Sequence, residues 1–243
     1  MKNILILGGS KNLGKFLSIQ FSKTDKVINL SRTGLNLKKE KNLNNKNLSN
    51  YKLDAANKKS VKNFLSKLFQ KIKKIDLVIY CIGDSEKKKI NQNNSQHWHD
   101  SFSINFLTFA NFLECYEVEY KKKPTKIIVI SSIAGLKPIG APIEYSVFKK
   151  ALTFYCKLKA LELANDNIKI NIISPGNIYQ KGNLWDKKII KDPKKTKKYI
   201  KDNVPLNTFC STEQIFEMCK YLLSKSGNNI TGSDFIIDPG QNL

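Results

Sequence analysis

Short apolar segments rich in β-branched residues alternate with helix-like segments along the whole chain of 243 residues. The apolar segments predict strands buried on both faces, because their apolar runs are continuous and do not alternate with polar residues. These strands lie at residues 4–7, 27–30, 77–81, 127–130, 168–173 and 235–237, with a further strand around 51–53. The alternation predicts an α/β fold, a doubly wound parallel sheet of about seven strands with helices on both faces.

The segments between the predicted strands have helical periodicity at residues 14–23, 59–71, 95–120, 144–163 and 212–223. Since no linker or internal repeat divides the chain, residues 1–243 are expected to form one domain. Two stretches are irregular. Residues 35–50 are polar and predict a surface connection, whereas residues 180–203 are too long for an ordinary connection. We interpret residues 180–203 as a lid over a site, and a disordered segment is the alternative.

A net charge of +22 would suit a nucleic-acid partner, but the lysines are spread along the chain without interleaved aromatic residues. We therefore expect neither a nucleic-acid partner nor, since no apolar run approaches about 20 residues, a membrane span. Five cysteines without a Cys-x-x-Cys motif, and no export signal, favour reduced thiols in a cytoplasmic protein. Two neighbouring histidines, His97 and His99, do not predict a metal site.

A glycine-rich loop over residues 8–14 directly follows the first predicted strand and opens the first predicted helix. Glycines at this place let backbone N–H groups and the helix N-terminus approach a pyrophosphate. The loop resembles the Thr-Gly-x-x-x-Gly-x-Gly motif of the short-chain dehydrogenase/reductase family, with Leu7 for the threonine and Asn12 for the middle glycine. Because asparagine tolerates a left-handed backbone, we expect the loop to keep its shape.

The end of the second predicted strand bears on the choice of cofactor. NAD enzymes generally carry an acidic residue there, which binds the ribose hydroxyls and would repel a 2′-phosphate. This chain has Ser31 and Arg32, and Arg32 is its only arginine. A guanidinium pairs with phosphate, and Lys11 could add a second charge, so the sequence favours NADP(H). A solvated surface arginine is the alternative.

The motif Tyr-x-x-x-Lys occurs three times, beginning at Tyr145, Tyr155 and Tyr221. Only Tyr145 has a serine, Ser132, thirteen residues upstream at the end of a predicted strand. This spacing is similar to that of the catalytic serine and tyrosine in the family, so the pair Tyr145 and Lys149 is selected.

The resemblance implies roles for four residues. Tyr145 would act as general acid or base, and Lys149 would lower the pKa of Tyr145 and hold the nicotinamide ribose. Ser132 would orient the substrate oxygen, and Asn105 would position a water that relays protons. These residue types suit the chemistry, because carbonyl reduction places negative charge on an oxygen that needs a nearby acid.

Further matches extend the resemblance from residue 4 to residue 243. Asp54 resembles the adenine-binding aspartate, and residues 230–240 resemble the family's C-terminal Ile-Thr-Gly…Val-Asp-Gly-Gly segment. Gln180 stands where the family often has a threonine at the nicotinamide carboxamide, and its side chain can still bond that amide. The resemblance assigns to cofactor binding Gly8, Ser10, Lys11, Asn12, Leu13, Gly14, Ser31, Arg32, Asp54, Gly83, Tyr145, Lys149, Pro175, Gly176 and Ile178.

The resemblance thus implies an NADP(H)-dependent oxidoreductase that interconverts a ketone and a secondary alcohol. Its layout is similar to that of 3-oxoacyl-acyl-carrier-protein reductases, and the lysine-rich lid suits an anionic, carrier-linked substrate. A dehydrogenase of a sugar or nucleotide-linked sugar, and a non-enzymatic cofactor-binding protein, are the alternatives. The predicted helix 144–163 is apolar on more than one face, and family members usually bury it between subunits, so a homotetramer or homodimer is expected.

Overall fold

The computed structural model describes residues 1–36, 45–85, 95–120 and 123–243. Seven strands form one sheet in the order β3-β2-β1-β4-β5-β6-β7, and every neighbouring pair is parallel. The predicted doubly wound parallel sheet is therefore confirmed. The strands are β1 Asn3–Leu7, β2 Lys26–Ser31, β3 Leu48–Lys52, β4 Leu77–Tyr80, β5 Thr125–Ile130, β6 Ile168–Pro175 and β7 Asp234–Ile237.

Helices cover both faces of the sheet and close two apolar cores. Because successive strand side chains point to opposite faces, β1 sends Leu5 and Leu7 into one core and Ile4 and Ile6 into the other. The first core packs against α2, α4 and α5, and the second against α1 and α8. The helices are α1 Asn12–Ser22, α2 Lys58–Lys71, α3 Gln96–Phe102, α4 Thr108–Tyr120, α5 Ile143–Glu162, α6 Leu184–Lys191, α7 Pro193–Asn203 and α8 Thr212–Leu223.

The strand order reverses between β1 and β4, which opens a crevice at the carboxyl edge of the sheet. Gly8 follows β1 at this point with φ +87°, a backbone conformation that favours glycine. A Cβ atom on Gly8 would lie 3.1 Å from the backbone after β4, so the two loops approach too closely for a side chain. The topology thus brings the glycine loop and the end of β4 together.

Two predicted elements have different bounds in the structure. Strand β3 occupies Leu48–Lys52, earlier than the expected 51–53, so the end of the predicted surface connection is a strand. Most of this edge strand is exposed, which explains why no apolar run marks it. The predicted helix 95–120 consists of α3, a π-helical turn at Ser103–Leu107 and α4. The remainder of the predicted connection, residues 37–44, lies outside the described residues.

Residues 180–203, the predicted lid, contain the two short helices α6 and α7. Asn183 caps α6 by accepting hydrogen bonds from the N–H groups of Trp185 and Asp186. Asp192 caps α7 in the same way, and Pro193 occupies the first helical position, where no N–H is needed. This segment therefore contains two capped helices, and its role as a lid stays a prediction.

All five cysteines lie in the described part of the chain as free thiols, and four of them are buried. Within the same residues, no helix combines the length and the apolar character needed to cross a bilayer.

Candidate active site

The glycine loop joins β1 to the N-terminus of α1. Asn12 has φ 45°, so the predicted left-handed backbone at this residue is confirmed. A Cβ atom on Gly14 would lie 2.4 Å from the carbonyl oxygen of Gly8, which leaves no room for a side chain. The N-cap residue Lys11 makes no side-chain hydrogen bond to the first turn of α1, and that turn holds no acidic residue. These features fit a helix N-terminus that receives an anion.

Ser31 and Arg32 stand at the end of β2, beside this loop, because the N–H of Gly8 donates to the carbonyl of Leu30 at 2.8 Å. The side chain of Ser31 is buried, and its Oγ has no hydrogen-bond partner among the residues that the structure describes. Arg32 is exposed. Asp54 follows β3 and accepts a hydrogen bond from the N–H of Ala56 at 3.1 Å. A polar group bound here would satisfy Ser31, so the edge of β2 fits the ribose end of a dinucleotide.

Ser132 and Tyr145 meet at the carboxyl end of β5. Ser132 caps a short 3-10 turn, and its Oγ accepts a hydrogen bond from the N–H of Ala134 at 3.1 Å. Tyr145 lies in the first turn of α5 and is half-buried. Burial raises the pKa of Tyr145, a hydrogen bond with Ser132 lowers it, and the negative charge of Asp84 raises it again. The phenol is therefore held in its protonated form.

Lys149 lies one helical turn after Tyr145, with its Nζ 5.8 Å from the centre of the tyrosine ring. The Nζ donates to the carbonyl of Ile130 at 3.1 Å, and the side chain is almost fully buried. Burial lowers the pKa of Lys149 to about 8. The sequence led us to expect that Lys149 would lower the pKa of Tyr145. In this structure the pKa of Tyr145 is raised instead, because the effect of burial outweighs that of the hydrogen bond with Ser132.

Asn105 lies in the π-helical turn and is fully buried. Its Oδ1 accepts from the N–H of Asp84 at 2.9 Å, and its Nδ2 donates to the carbonyl of Asp84 at 3.2 Å. The Nδ2 also donates to Ser101 Oγ at 3.1 Å. The asparagine thus fixes the backbone that follows β4. Sequence reasoning missed Asp84, although its place after Gly83 could have indicated it.

Gly83 separates Lys149 from Asn105. A Cβ atom at Gly83 would lie 3.0 Å from Lys149 Nζ and 3.3 Å from Asn105 Oδ1. Any larger residue would have to push one of these side chains aside. The four predicted catalytic residues are therefore gathered around one small space at the carboxyl edge of the sheet, next to the glycine loop.

The segment after β6 closes the other end of the crevice. Gly176 packs against Asp238, where a Cβ atom would lie 2.8 Å from the aspartate Cβ, and Ile178 forms a bridge to Cys210. Gln180 Nε2 donates to the carbonyl of Asn12 at 3.3 Å, which ties this segment to the glycine loop. Among the described residues, buried polar atoms without a hydrogen-bond partner lie at both ends of the crevice, and glycines stand where side chains would clash. Both features suit the binding of an extended dinucleotide.

An aromatic cluster holds α6 and α7 together. The Trp185 ring stacks on Tyr199 with centroids 5.2 Å apart, and it packs against Phe209 at 5.4 Å. Lys188 Nζ lies 3.9 Å from the centre of the Trp185 ring. Tyr199 accepts a hydrogen bond from the buried Gln241 at 3.0 Å, so α7 is attached to the residues that follow β7.

Known proteins resemble this chain over almost all of its length. A family model described as "Enoyl-(Acyl carrier protein) reductase" matches residues 22–242. The 3-oxoacyl-(acyl-carrier-protein) reductase FabG of Buchnera aphidicola subsp. Schizaphis graminum is 28% identical over 242 residues, covering 98% of this chain and 96% of that protein. FabG of Thermotoga maritima is 24% identical over 246 residues, covering 98% of this chain and 97% of that protein.

Solved structures show the same architecture. ElxO with NADP bound has a TM-score of 0.84 and 28% identity, and the match covers 99% of this chain and 98% of that chain. A short-chain dehydrogenase from Leptospira borgpetersenii with bound NAD⁺ has a TM-score of 0.83 and 21% identity, covering 100% and 93% of the two chains, which shows a shared fold. The matched family model covers residues 22–242, which is most of the chain. The chain therefore belongs to the short-chain dehydrogenase/reductase family of oxidoreductases.

Proposed function

We propose that the protein is an NADP(H)-dependent ketoreductase in which Tyr145 transfers the proton. The observation that carries the proposal is the meeting of Ser132, Tyr145 and Lys149 in one place beside the glycine loop. Ser132 follows β5, whereas Tyr145 and Lys149 lie on successive turns of α5. All three lie at the carboxyl edge of the sheet, where open α/β sheets bind their ligands.

The bound nicotinamide supplies or accepts the hydride, and this chain's residues handle the proton. During reduction the carbonyl oxygen of the substrate gains negative charge and needs an acid within hydrogen-bond reach. Because burial raises its pKa, Tyr145 carries a proton at neutral pH and can donate it to that oxygen. Ser132 lies within hydrogen-bond reach of the phenol, and it can donate its single hydroxyl hydrogen to the substrate oxygen. Lys149, one turn further along α5, would hold the nicotinamide ribose.

NADP(H) is the proposed cofactor because the end of β2 offers no carboxylate. Ser31 Oγ is buried without a partner, and Arg32 stands beside it with its planar, doubly donating guanidinium. A 2′-phosphate would satisfy both groups, whereas the hydroxyl of NAD(H) would leave the charge of Arg32 unpaired. ElxO, which is 28% identical, has NADP bound in its structure, and this supports the proposal.

A 3-oxoacyl thioester on an anionic carrier is the proposed substrate. The FabG relatives are named for 3-oxoacyl-(acyl-carrier-protein) reduction and align along nearly the whole chain. Lysines are frequent on the lid helices, and Lys197 and Lys201 line a cavity of about 460 Å³ between α7 and Phe209. A positive lid of this kind would attract a phosphate-bearing carrier from solution.

The decisive experiment uses tyrosine variants, and the chain supplies matched controls. Tyr145→Phe keeps the ring but removes the proton donor, so kcat with acetoacetyl-CoA and NADPH should fall by roughly 10²–10⁴-fold. Tyr155 and Tyr221 begin the same Tyr-x-x-x-Lys motif as Tyr145. The control variants Tyr155→Phe and Tyr221→Phe should keep the wild-type kcat. Tyr155 packs against Phe106, and Tyr221 is exposed on α8.

NADPH titration of the same variants separates binding from chemistry. Tyr145→Phe should still bind NADPH, because Lys149 and the glycine loop are unchanged. If Tyr145→Phe kept more than about a tenth of the activity, the general-acid role would be wrong even though the fold stands. If wild-type protein reduced no 3-oxoacyl thioester but did reduce other ketones, the substrate would be wrong and the mechanism would stand.

A further inference from the structure

Two asparagines on neighbouring strands, Asn29 of β2 and Asn50 of β3, form a hydrogen-bonded pair. They lie opposite each other in the parallel register of the strands, and Asn29 Nδ2 donates to Asn50 Oδ1 at 2.9 Å. Asn29 is fully buried and Asn50 is half-buried. A buried amide is costly unless it is hydrogen-bonded, so the partners of this pair indicate what it supports.

The amide of Asn50 also binds both polar groups of the Leu35 backbone. The N–H of Leu35 donates to Asn50 Oδ1 at 3.1 Å, and Asn50 Nδ2 donates to the Leu35 carbonyl at 2.9 Å. A backbone N–H can only donate and a carbonyl can only accept, so these two bonds fix the orientation of the amide. Asn29 must therefore turn its NH₂ group to Asn50, and its own Oδ1 lies against Gly9 of the glycine loop, where a Cβ atom would be 2.2 Å away.

The turn at residues 32–34 is tied to the β3 segment at both of its ends. Before the turn, the Ser31 carbonyl accepts a hydrogen bond from the N–H of Leu53 at 3.0 Å. After the turn, the backbone of Leu35 is held by Asn50, and the Leu35 side chain is buried. The backbone of these three residues is therefore fixed on either side.

Gly34 lets the chain turn back toward β3. It has φ +72°, a conformation that favours glycine, and a Cβ atom there would lie 3.2 Å from Asn50 Nδ2. Arg32 stands two residues earlier, and its side chain is exposed. A long side chain loses rotamer freedom when it binds a ligand, and a backbone that is already fixed limits the ordering cost to that side chain.

We infer that Asn50 is a positioning residue for the choice between NADPH and NADH, because it holds the turn from which Arg32 reaches the 2′-phosphate. This inference rests on the proposed pairing of Arg32 with that phosphate. The Asn50 amide bonds Asn29 and Leu35, so it acts through the turn and not through contact with the cofactor. Without Asn50 the turn must be ordered when NADPH binds. NADH lacks the 2′-phosphate and does not bear this cost.

Fluorescence titration of NADPH and NADH with Asn50→Ala tests the inference. The substitution removes the bonds to Leu35, so NADPH should bind roughly 3- to 10-fold more weakly, because the turn has to be ordered on binding. NADH affinity should change by less than about twofold, since no contact to a 2′-phosphate is involved. Ser49→Ala, at the exposed neighbouring position of β3, is the matched control and should leave both affinities unchanged.

A double-mutant cycle with Arg32→Ala separates positioning from general support of the sheet. Once the guanidinium is gone, Asn50→Ala should cause no further loss of NADPH affinity, because the group that it positions is absent. Gly34→Ala strains the same turn without altering either asparagine, and it should also lower the preference for NADPH. It provides the same test if Asn50→Ala does not fold, which circular dichroism of each variant establishes.

Two results would overturn the positioning role alone. One is an equal loss of NADPH and NADH affinity in Asn50→Ala, and the other is the same loss of NADPH affinity with and without Arg32. If the wild type bound both nucleotides equally and Arg32→Ala changed neither affinity, the proposed preference for NADP(H) would be wrong, and the positioning role would fall with it.

Discussion

Arg32 is one guanidinium in a chain whose other basic residues are lysines. If it pairs with a 2′-phosphate, Arg32→Ala should weaken NADPH binding roughly 10- to 100-fold, because a charge-assisted pair contributes about 1.5–3 kcal/mol. NADH binding should hardly change, since NADH has no 2′-phosphate. Fluorescence titration of both nucleotides measures the two effects.

Arg32→Lys is the informative control for this prediction. A lysine keeps the charge but not the planar fork, so it should recover part of the NADPH affinity. Equal affinities of the wild type for NADPH and NADH would show that Arg32 is a solvated surface residue. In that case Ser31 Oγ would need another partner.

Lys149 should make the stability of the cofactor-free protein depend on pH. Burial lowers its folded-state pKa to about 8, whereas the unfolded chain keeps the ordinary value of 10.5. Between these values the unfolded state binds more protons, so the free energy of unfolding rises with pH. Lys149→Met should therefore be more stable than the wild type at pH 7, by at most about 3 kcal/mol, less the lost bond to Ile130.

That advantage should shrink as the pH rises from 8 to 10.5, because the wild-type lysine then loses its charge in the folded state. Urea unfolding of both proteins across this range measures the difference. A constant difference would mean that Lys149 titrates normally. Other titrating groups are common to both proteins and cancel.

For single residues, the sequence predicted the backbone conformation and the position in the fold better than it predicted the pKa values and hydrogen bonds of the side chains. The left-handed Asn12 and the proximity of Tyr145 to Ser132 both follow from local motifs. The raised pKa of Tyr145 depends on burial and on Asp84, and a linear motif does not show either. The bonds between Asn105 and Asp84 depend on a π-helical turn, which has no sequence signature that we could read.

At the scale of elements, α6 should affect substrate binding through charge. Reversing Lys187 and Lys191 to Glu should raise KM for an acetoacetyl thioester, and the effect should fade with added salt because exposed charges are screened. NADPH affinity should stay the same. Lys188 is left unchanged in this variant, because its Nζ lies over the Trp185 ring and reversing its charge would also disturb that packing.

Reversal of Lys62 and Lys67, exposed lysines on α2, makes an equal change in net charge away from the lid. This control should leave KM unaltered. The same rise in KM in both variants would show that the effect comes from the net charge of the whole protein. If KM rose in neither variant, the α6 lysines would be solvated surface residues without a role in substrate binding.

The elements that the sequence missed lack a clear apolar pattern. Helices α6 and α7 are rich in lysine, and each has only a narrow apolar side. Their caps were readable, since Asn183 and the Asp192-Pro193 pair are helix-start signals. Strand β3 was placed three residues late because it is an edge strand with one fully buried residue, Leu48. Central strands, buried on both faces, were located within a few residues.

At the scale of the whole molecule, α5 carries an apolar stripe that this chain leaves uncovered. Its members are 46% to 80% exposed, while Lys149 and Cys156 on the opposite side are buried. The stripe consists of Ile143, Val147, Phe154, Leu158 and Leu161. Contiguous apolar surface of this kind marks a protein interface, so we predict a homodimer or homotetramer through α5.

Phe154→Asp combined with Leu158→Asp should yield a smaller assembly by light scattering at micromolar concentration, because a buried unpaired charge is costly. Tyr221→Asp places the same charge on an exposed aromatic residue of α8 and should leave the mass unchanged. A monomeric wild type would contradict the prediction.

The order of the strands also bears on how the chain folds as it is synthesised. Strands β1, β2 and β3 extend the sheet in one direction, and β4, β5, β6 and β7 then extend it in the other. Every strand therefore joins an existing edge, and none has to insert between two paired strands. Strands β1 and β4, which flank the crevice, are both present once residues 1–80 have been made. Ser132, Tyr145 and Gly176 join the crevice only when β5, α5 and β6 have followed, so the candidate site is completed late, by strands whose parallel pairing is slow.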